Sequence, residues 1–177
     1  MSLESIEWKK FKITELFKVQ KSKAYHKVSL KTGKIPYITR TSFNNGLEML
    51  VQNDNFKLNP KNTISLGAEN ADFFYHALEY ITGNNVCCIS NPHINRYSGL
   101  FIVQALQKSI EGCGFGFANG LTGTRLKNRF VSLPTDLEGN PNWEFMENYM
   151  REVEHKMLQK ALVYYSNKLL EYEGGGG

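Results

Sequence analysis

The sequence predicts an α+β fold: a mixed, mostly antiparallel, sheet-rich domain over residues 4–137, followed by one long coiled-coil-type helix over residues 141–170. Short runs with strand character are separated by turn signals rich in Asn, Gly and Pro. After Pro141 apolar residues recur at spacings of three and four, the period of a helix that packs against another helix. Hydrophobic residues make up 41% of the chain, enough for a core, so global disorder is excluded.

The first strands are predicted from alternation and from proline. Residues 8–13 alternate apolar and polar side chains, as a half-buried strand does, and residues 14–17 fit a single helical turn. Residues 18–34 have little apolar content and are predicted to form a long basic loop. A short strand follows at 35–38, and Pro36 places it near a sheet edge because proline cannot donate a ladder hydrogen bond.

The middle of the chain is predicted to continue as strands joined by turns. Asn44-Asn45-Gly46 is a turn signal because these residues tolerate positive φ, and residues 47–51 return as the partner strand. A helix with a broad buried face is predicted at 97–110. The remaining elements are strands at 62–66, 72–76, 80–81, 86–89 and 128–132, and a glycine-rich loop at 112–123.

The C-terminal helix is predicted to begin after Asn142, a good N-cap, and to reach Leu170. At 1.5 Å per residue it is about 42 Å long, more than the diameter of a small domain. Part of it must therefore find a partner or remain in water; the alternative is an ordinary core helix of the same domain. The residues predicted for helix packing or dimerisation are Met146, Met150, Val153, Met157, Ala161 and Tyr164.

Charge is more informative in its distribution than in its total, which is +4. Residues 18–40 contain seven cationic side chains and no acidic one, whereas acidic residues concentrate after Asp136. A basic body is typical of a domain that contacts phosphates. The alternative is a solvated lysine-rich loop.

Three cysteines, an odd number without a C-x-x-C motif, are interpreted as reduced thiols of a cytoplasmic protein. We recognise no signal peptide, and no apolar stretch approaches the roughly 20 residues of a membrane span, so no membrane partner is expected. Residues 1–3 and 174–177 are interpreted as additions for expression.

The sequence indicates no catalytic set. The four histidines have no metal-ligand spacing with one another or with cysteine. The glycines at 111–116 superficially resemble a cofactor loop, but they follow a predicted helix and no helical pattern starts after them. We therefore expect no catalytic residue, no metal and no cofactor, and a binding role in place of an enzymatic one.

Several loops mix residue types that hydrogen-bond DNA. Arg and Lys suit guanine, Asn suits adenine, and Ser or Thr suits phosphate or base, although the same types are ordinary in loops. The residues predicted to bind DNA are Lys21, Lys23, Lys34, Thr39, Arg40, Thr41, Asn44, Asn45, Arg96, Tyr97, Asn119, Arg125, Lys127 and Arg129.

Three motifs in this order resemble a known family. Gly-Lys-Ile-Pro-Tyr-Ile-Thr-Arg-Thr at 33–41 leads into Asn-Asn-Gly; Arg-Leu-Lys at 125–127 runs on to Leu-Pro at 133–134; and residues 139–146 open the long helix. This order is similar to the target recognition domains of type I restriction-modification specificity subunits, in the half-subunit style of BcgI-like systems. The similarity covers about residues 5–170.

The resemblance implies a recognition domain that docks in the DNA major groove and a helix that pairs antiparallel with a second spacer helix. It implies double-stranded DNA, methyltransferase subunits and, through them, restriction subunits as partners, with a homodimer supplying the second helix. The function implied is a non-catalytic specificity subunit that directs these subunits to a split DNA target. The alternatives are an assembly domain that acts through its long helix, and the recognition fragment of a combined restriction–methyltransferase polypeptide.

Overall fold

The computed structural model describes residues 2–174, and it confirms an α+β fold with mostly antiparallel sheets and one long C-terminal helix. The elements in chain order are β1 (Trp8–Lys12), α1 (Ile13–Leu16), β2 (Lys18–Lys21), β3 (Thr32–Ile38), β4 (Leu47–Val51), β5 (Thr63–Gly67), β6 (Asp72–His76), β7 (Ile81–Thr82), β8 (Val86–Ser90), α2 (Arg96–Ser109), α3 (Gly123–Lys127), β9 (Phe130–Pro134) and α4 (Trp143–Gly174).

The described strands form three sheets. The largest has the order β2-β8-β5-β6, and all of its pairings are antiparallel. A second sheet has the order β4-β3-β7, in which β3 runs antiparallel to β4 and parallel to β7. β1 and β9 form an antiparallel pair that joins the start of the domain to its end.

The basic segment at 18–34 is more structured than predicted, and the prediction of one long loop is wrong. β2 occupies its first four residues and buries Val19 alone, with lysine and glutamine exposed around it. A 3-10 turn at Lys27–Ser29 and the start of β3 at Thr32 occupy much of the rest. A strand with one inward side chain has almost no hydrophobic pattern in its sequence. All four residues of β2 nevertheless pair with β8.

β3 is the middle strand of its sheet rather than an edge strand, so this part of the prediction is also wrong. Pro36 pairs with Leu50 of β4, and β7 pairs with Tyr37 and Ile38 on the other side. Because β7 is so short, its ladder begins beyond the proline, and the missing N–H removes no bond to it.

The main core lies between the four-stranded sheet and α2. Ile64, Leu66 and Ile89 face it from the sheet, and Ile102 and Leu106 face it from α2; all five are fully buried. Burial of such side chains stabilises the fold by about 1.5–3 kcal/mol each. This layer holds the sheet rigidly, which fixes the positions of the loops at its ends.

The long helix begins as predicted. The side-chain oxygen of Asn142 accepts a hydrogen bond from the Phe145 N–H at 2.9 Å. Met146 is fully buried in the main core and Met150 is partly buried against it. Within this chain α4 packs against α2, and its first turns complete the domain's own core. Farther along, Met157 is 67% exposed.

α3 is an element that the sequence pattern did not indicate. It starts at the end of the glycine-rich loop, where the Thr122 hydroxyl accepts a hydrogen bond from the Arg125 N–H. The helix is five residues long and buries Leu126. A helix of about one turn with one buried residue has no detectable period, which is why the sequence predicts no element at residues 124–127.

Candidate nucleic-acid interface

Several loops meet at one end of the four-stranded sheet. The strand register brings the end of β2, the start of β8, the end of β5 and the start of β6 to this side, through the pairs Lys21–Cys87, Gly67–Val86 and Gly67–Asp72. We call this side the loop end. It comprises four segments: the loop at 39–46, the β5–β6 turn at 68–71, the turn at 83–85 and the loop at 112–123.

The β5–β6 turn connects the other segments of the loop end. The N–H of Ala68 donates to the carbonyl of Asn85 at 2.9 Å, and the carbonyl of Ala68 accepts from the N–H of Leu121 at 2.8 Å. A Cβ on Gly120 would lie 2.8 Å from the same carbonyl oxygen, so only glycine allows this approach. One turn therefore holds two neighbouring segments by backbone contacts.

The same turn holds the loop at 39–46 by side-chain contacts. The amide of Asn70 donates to the carbonyl of Arg40 and to the hydroxyl of Ser42, both at 3.0 Å. The Arg40 guanidinium forms an ion pair with Glu69, with Nη1 2.6 Å from Oε1. The Ser42 hydroxyl donates to the carboxylate of Asp72. Four side-chain contacts thus tie this loop to the turn and to the start of β6.

The loop at 39–46 is also ordered from within. The Thr39 hydroxyl accepts from the N–H of Thr41 at 3.4 Å, and the Thr41 hydroxyl accepts from the N–H of Phe43 at 3.3 Å. Asn44 and Asn45 both adopt positive φ, 50° and 54°. The threonines therefore shape the loop, while Phe43, which is 78% exposed, and the two asparagines form its surface.

The loop at 112–123 contributes an asparagine, and α3, which follows it, contributes an arginine that contacts this asparagine. Nη1 of Arg125 donates to the side-chain oxygen of Asn119 at 2.5 Å and to the carbonyl of Gly120 at 2.9 Å. Phe117, in the same loop, is 85% exposed. This pair and the 39–46 loop lie on either side of the β5–β6 turn.

Lysines border the loop end. Lys21 and Lys127 both lie near the Cys87 thiol: burial raises the pKa of that thiol, while a hydrogen bond from the Gly123 backbone and the charges of the two lysines act to lower it. The carbonyl of Lys23 accepts from the Thr82 hydroxyl at 3.1 Å, which places Lys23 beside the turn at 83–85. These three lysines thus lie next to segments of the loop end.

Two predicted DNA contacts lie at the opposite end of the sheet. Arg96 and Tyr97 begin α2, and both contact Glu154 of α4: the arginine by an ion pair and the tyrosine hydroxyl by a 2.8 Å hydrogen bond. The guanidinium of Arg151 lies over the Tyr97 ring, 4.2 Å from its centroid. These side chains join α2 to α4, and we call their contacts the helix junction.

Of two further predicted residues, Arg129 is held against the start of the 112–123 loop, and Lys34 lies away from the loops. Arg129 donates to the carbonyl of Ser109 at 3.1 Å and to the Cys113 thiol at 2.9 Å, and its guanidinium lies 5.3 Å from the centroid of Phe115. Lys34 is exposed in the β-bulge of β3, four residues before that strand ends. The loop end and its borders therefore unite Lys21, Lys23, Thr39, Arg40, Thr41, Asn44, Asn45, Asn119, Arg125 and Lys127. Arg129 is held by its contacts with Cys113 and Phe115 of the 112–123 loop. Lys34, Arg96 and Tyr97 lie elsewhere.

Residues 5–162 match the family described as the type I restriction modification DNA specificity domain. The chain belongs to this family. The chain is 28% identical over 164 residues to the type II restriction enzyme specificity subunit S.BcgI of Heyndrickxia coagulans, a match that covers 90% of this chain and 47% of that protein. The family resemblance stated from the motifs is thereby confirmed.

Solved specificity subunits share the fold of this family member. The S subunit of a type I restriction-modification system from M. genitalium superimposes with a TM-score of 0.59 at 15% identity, covering 97% of this chain and 45% of that one. The HsdS subunit of Thermoanaerobacter tengcongensis gives a TM-score of 0.58 at 11% identity, covering 86% and 38%. The chain spans about half the length of these relatives.

Sequence reasoning missed the residues that hold this domain's loops together. Glu69 and Asn70 lie in a turn between two strands, a place where polar residues are expected and carry no particular signal. Their contacts with Arg40 and Ser42 span about 30 positions along the chain. Only the packing of the 39–46 loop over Gly67 brings them together, since a Cβ there would lie 3.0 Å from the Arg40 Cα.

The sheet beneath the loop end contains a half-buried histidine at its far end. Burial lowers the pKa of His76 to about 4. Its Nε2 lies 2.8 Å from the Ser65 hydroxyl, and its ring packs on Tyr80 at a centroid distance of 4.5 Å. This histidine is neutral at pH 7 and belongs to the framework rather than to the loops.

Residues 2–174 contain no group of three or more His, Cys, Asp or Glu side chains placed to hold a metal ion. Within the same residues, no helix is both long and apolar enough to cross a membrane.

Proposed function

We propose that this chain is a non-catalytic DNA-specificity module that reads duplex DNA with its loop end. The observation that carries the proposal is the convergence of two segments on the single β5–β6 turn: the loop at 39–46, and the loop at 112–123 with the α3 helix that follows it. Each segment has an arginine and at least one asparagine. Arg40 with Asn44 and Asn45, and Arg125 with Asn119, supply the groups that hydrogen-bond guanine and adenine edges. Family membership and the name of the S.BcgI relative, a specificity subunit, support this function.

The bordering lysines are proposed to contact phosphates. Neutralising three phosphates with Lys21, Lys23 and Lys127 gives a slope of about −3 in a plot of log affinity against log salt concentration. Such contacts position the protein on DNA without reading sequence. Reading of the base sequence is assigned to the polar residues of the loop end.

The experiment is fluorescence anisotropy with random duplexes and with a target selected by the chain from a duplex library, from 50 to 300 mM salt. Replacing Lys21, Lys23 and Lys127 together by Ala should weaken binding to both duplexes and reduce the slope by about 3. The matched control replaces Lys156, Lys160 and Lys168 of α4, which removes the same charge away from the loop end. Wild-type binding that does not weaken with added salt contradicts the proposal.

The exposed part of α4 is proposed to pair with a second helix. Two apolar stripes run along it. The predicted stripe through Met157, Ala161 and Tyr164 meets Lys168 next and then Glu171. A second stripe is spaced 4-3-4-3, is exposed throughout and continues to the last described turn: Leu158, Leu162, Tyr165, Leu169 and Tyr172. This spacing favours the second stripe as the coiled-coil seam.

A second copy of this chain, paired antiparallel, would supply that helix and place two loop ends on one DNA. The complex would then direct methyltransferase and restriction subunits to a split target, a role supported by one solved neighbour that concerns assembly of a type I restriction-modification system (TM-score 0.61, 14% identity, covering 94% of this chain and 43% of that one). The alternative, an assembly domain without DNA reading, also rests on the exposed helix.

Light scattering tests the pairing. Wild-type chain is expected to be a dimer at micromolar concentration, and Leu162→Asp with Leu169→Asp is expected to be a monomer. The control, Lys160→Asp, changes a polar position of the same helix segment. A wild type that stays monomeric contradicts the homodimer. The assembly domain would be favoured by two results together. Leu162→Asp with Leu169→Asp would abolish self-association, and the variant with Ala at positions 21, 23 and 127 would bind DNA as the wild type does.

A further inference from the structure

One feature of the loop end is unexpected in a surface that meets DNA: a carboxylate lies among its base-reading groups. Glu69 forms its ion pair with Arg40 at 2.6 Å, with the two side chains 26% and 42% exposed. A carboxylate so placed repels phosphates. Without a second role, it would only weaken binding.

The geometry around Arg40 fixes both ends of this residue. Its backbone lies against Gly67, and its carbonyl accepts from the Asn70 amide. Its guanidinium is held by Glu69 through one terminal nitrogen, Nη1. The guanidinium has five N–H donors, so the other nitrogens keep donors for a ligand.

An arginine on a mobile side chain readily binds any phosphate, whereas a fixed guanidinium loses less freedom when it meets a matching acceptor pair. Phosphate oxygens near Arg40 are also near the Glu69 carboxylate and are repelled. The O6 and N7 atoms of guanine carry no formal charge and can accept two N–H groups from the fork. The Arg40–Glu69 pair thus disfavours a phosphate as the ligand of the guanidinium and still allows a guanine edge to bind there.

We propose that Glu69 is a specificity-determining positioning residue, which holds the Arg40 guanidinium for a guanine edge and opposes its capture by phosphate. The inference rests on the proposed function and adds to it the residue that suppresses non-specific binding. Glu69 acts through Arg40 and itself contacts no base.

The measured quantity is the ratio of affinities for the selected target and for random duplex. Glu69→Ala is expected to strengthen random binding and to lower the ratio about tenfold, within the range of one lost bidentate contact. Glu69→Gln keeps a side-chain oxygen for Arg40 and removes the charge, so both affinities should rise while most of the ratio remains. Circular dichroism checks that both variants are folded.

Two controls separate positioning from charge. Glu138→Ala removes one negative charge from an exposed turn before α4, and it should leave the ratio unchanged. In an Arg40→Ala background, Glu69→Ala should change the ratio no further, because the positioned group is gone. Equal strengthening of target and random binding by Glu69→Ala overturns the inference. A wild type that selects no sequence overturns the proposed function before any variant is made.

Discussion

The loop end and the helix junction each contain an exposed arginine–glutamate pair, and the two pairs serve different parts of the molecule. Arg40 and Glu69 join two loops above the sheet, and their neighbours are other polar loop side chains. Arg96 and Glu154 join two helices, with Tyr97 and Arg151 packed beside them. Residue type and exposure are similar, so the surrounding elements decide the role. We therefore expect junction changes to affect stability, and loop-end changes to affect DNA binding.

The largest expected effect is a loss of stability from a change on the buried face of α4, next to the helix junction. Met146→Ala removes a fully buried side chain between α4 and the core, and we expect it to lower the free energy of unfolding by about 2–5 kcal/mol. Urea denaturation measures this. Met157→Ala, at an exposed position of the same helix, is the control and should change stability by less than about 0.5 kcal/mol. A loss of stability in Met146→Ala as small as that in Met157→Ala would show that α4 is not part of the domain's core.

The next effect tests the sheet that links the two regions. His76 has a pKa of about 4 when folded and about 6.5 when unfolded, so the unfolded state binds the proton more readily. The stabilisation is present above pH 6.5 and is lost as the pH falls from 6.5 to 4.

Because of the lowered pKa of His76, the free energy of unfolding is expected to fall by about 2 kcal/mol between pH 7 and pH 5. His76→Gln is expected to flatten that part of the stability profile in urea unfolding at each pH. The exposed His155 offers a control, since His155→Gln should leave the profile unchanged. A steeper fall in the His76→Gln variant would contradict the assignment.

A smaller effect is expected at the loop end. Asn70→Ala removes two hydrogen bonds that hold the loop at 39–46, and it should lower stability by about 1 kcal/mol while weakening target binding severalfold. Asn128→Ala is the matched control, because that amide bonds to the carbonyl of Thr124 within α3. Binding that is unaffected by Asn70→Ala would show that the loop does not need this support.

The smallest effect separates the two arginines directly. Arg96→Ala breaks an exposed ion pair and should cost at most about 1 kcal/mol, with no change in affinity for random duplex. Arg40→Ala should reduce target affinity at similar stability. Anisotropy titrations of both variants with target and random duplexes measure these affinities. A loss of DNA binding in Arg96→Ala would place the helix junction on the DNA.

Much of the fold could be predicted from the sequence, because its signals are local. Alternation located β1, the positive-φ asparagines located the turn before β4, and Asn142 located the start of α4. β2 and α3 were missed because each buries a single side chain.

The candidate interface was predictable as a set of residue types but not as an arrangement. Arg96 and Arg40 have the same chemistry, and nothing near Arg96 in sequence announces Glu154, which is 58 positions away. Likewise, the attachment of Ser42 to Asn70 and Asp72 depends on how two sheets pack. Contacts across such separations follow from tertiary packing, which periodicity does not encode.

The β5–β6 turn at 68–71 has a consequence for how recognition can change. The two loops proposed to read DNA are both attached to this one short segment, by backbone bonds to Ala68 on one side and by Asn70 on the other. A substitution in the turn moves both loops together, and a new residue in one loop meets a turn already fitted to its neighbour. The two loops are therefore not expected to change in sequence specificity independently of each other. A library aimed at new targets has to vary the turn jointly with both loops.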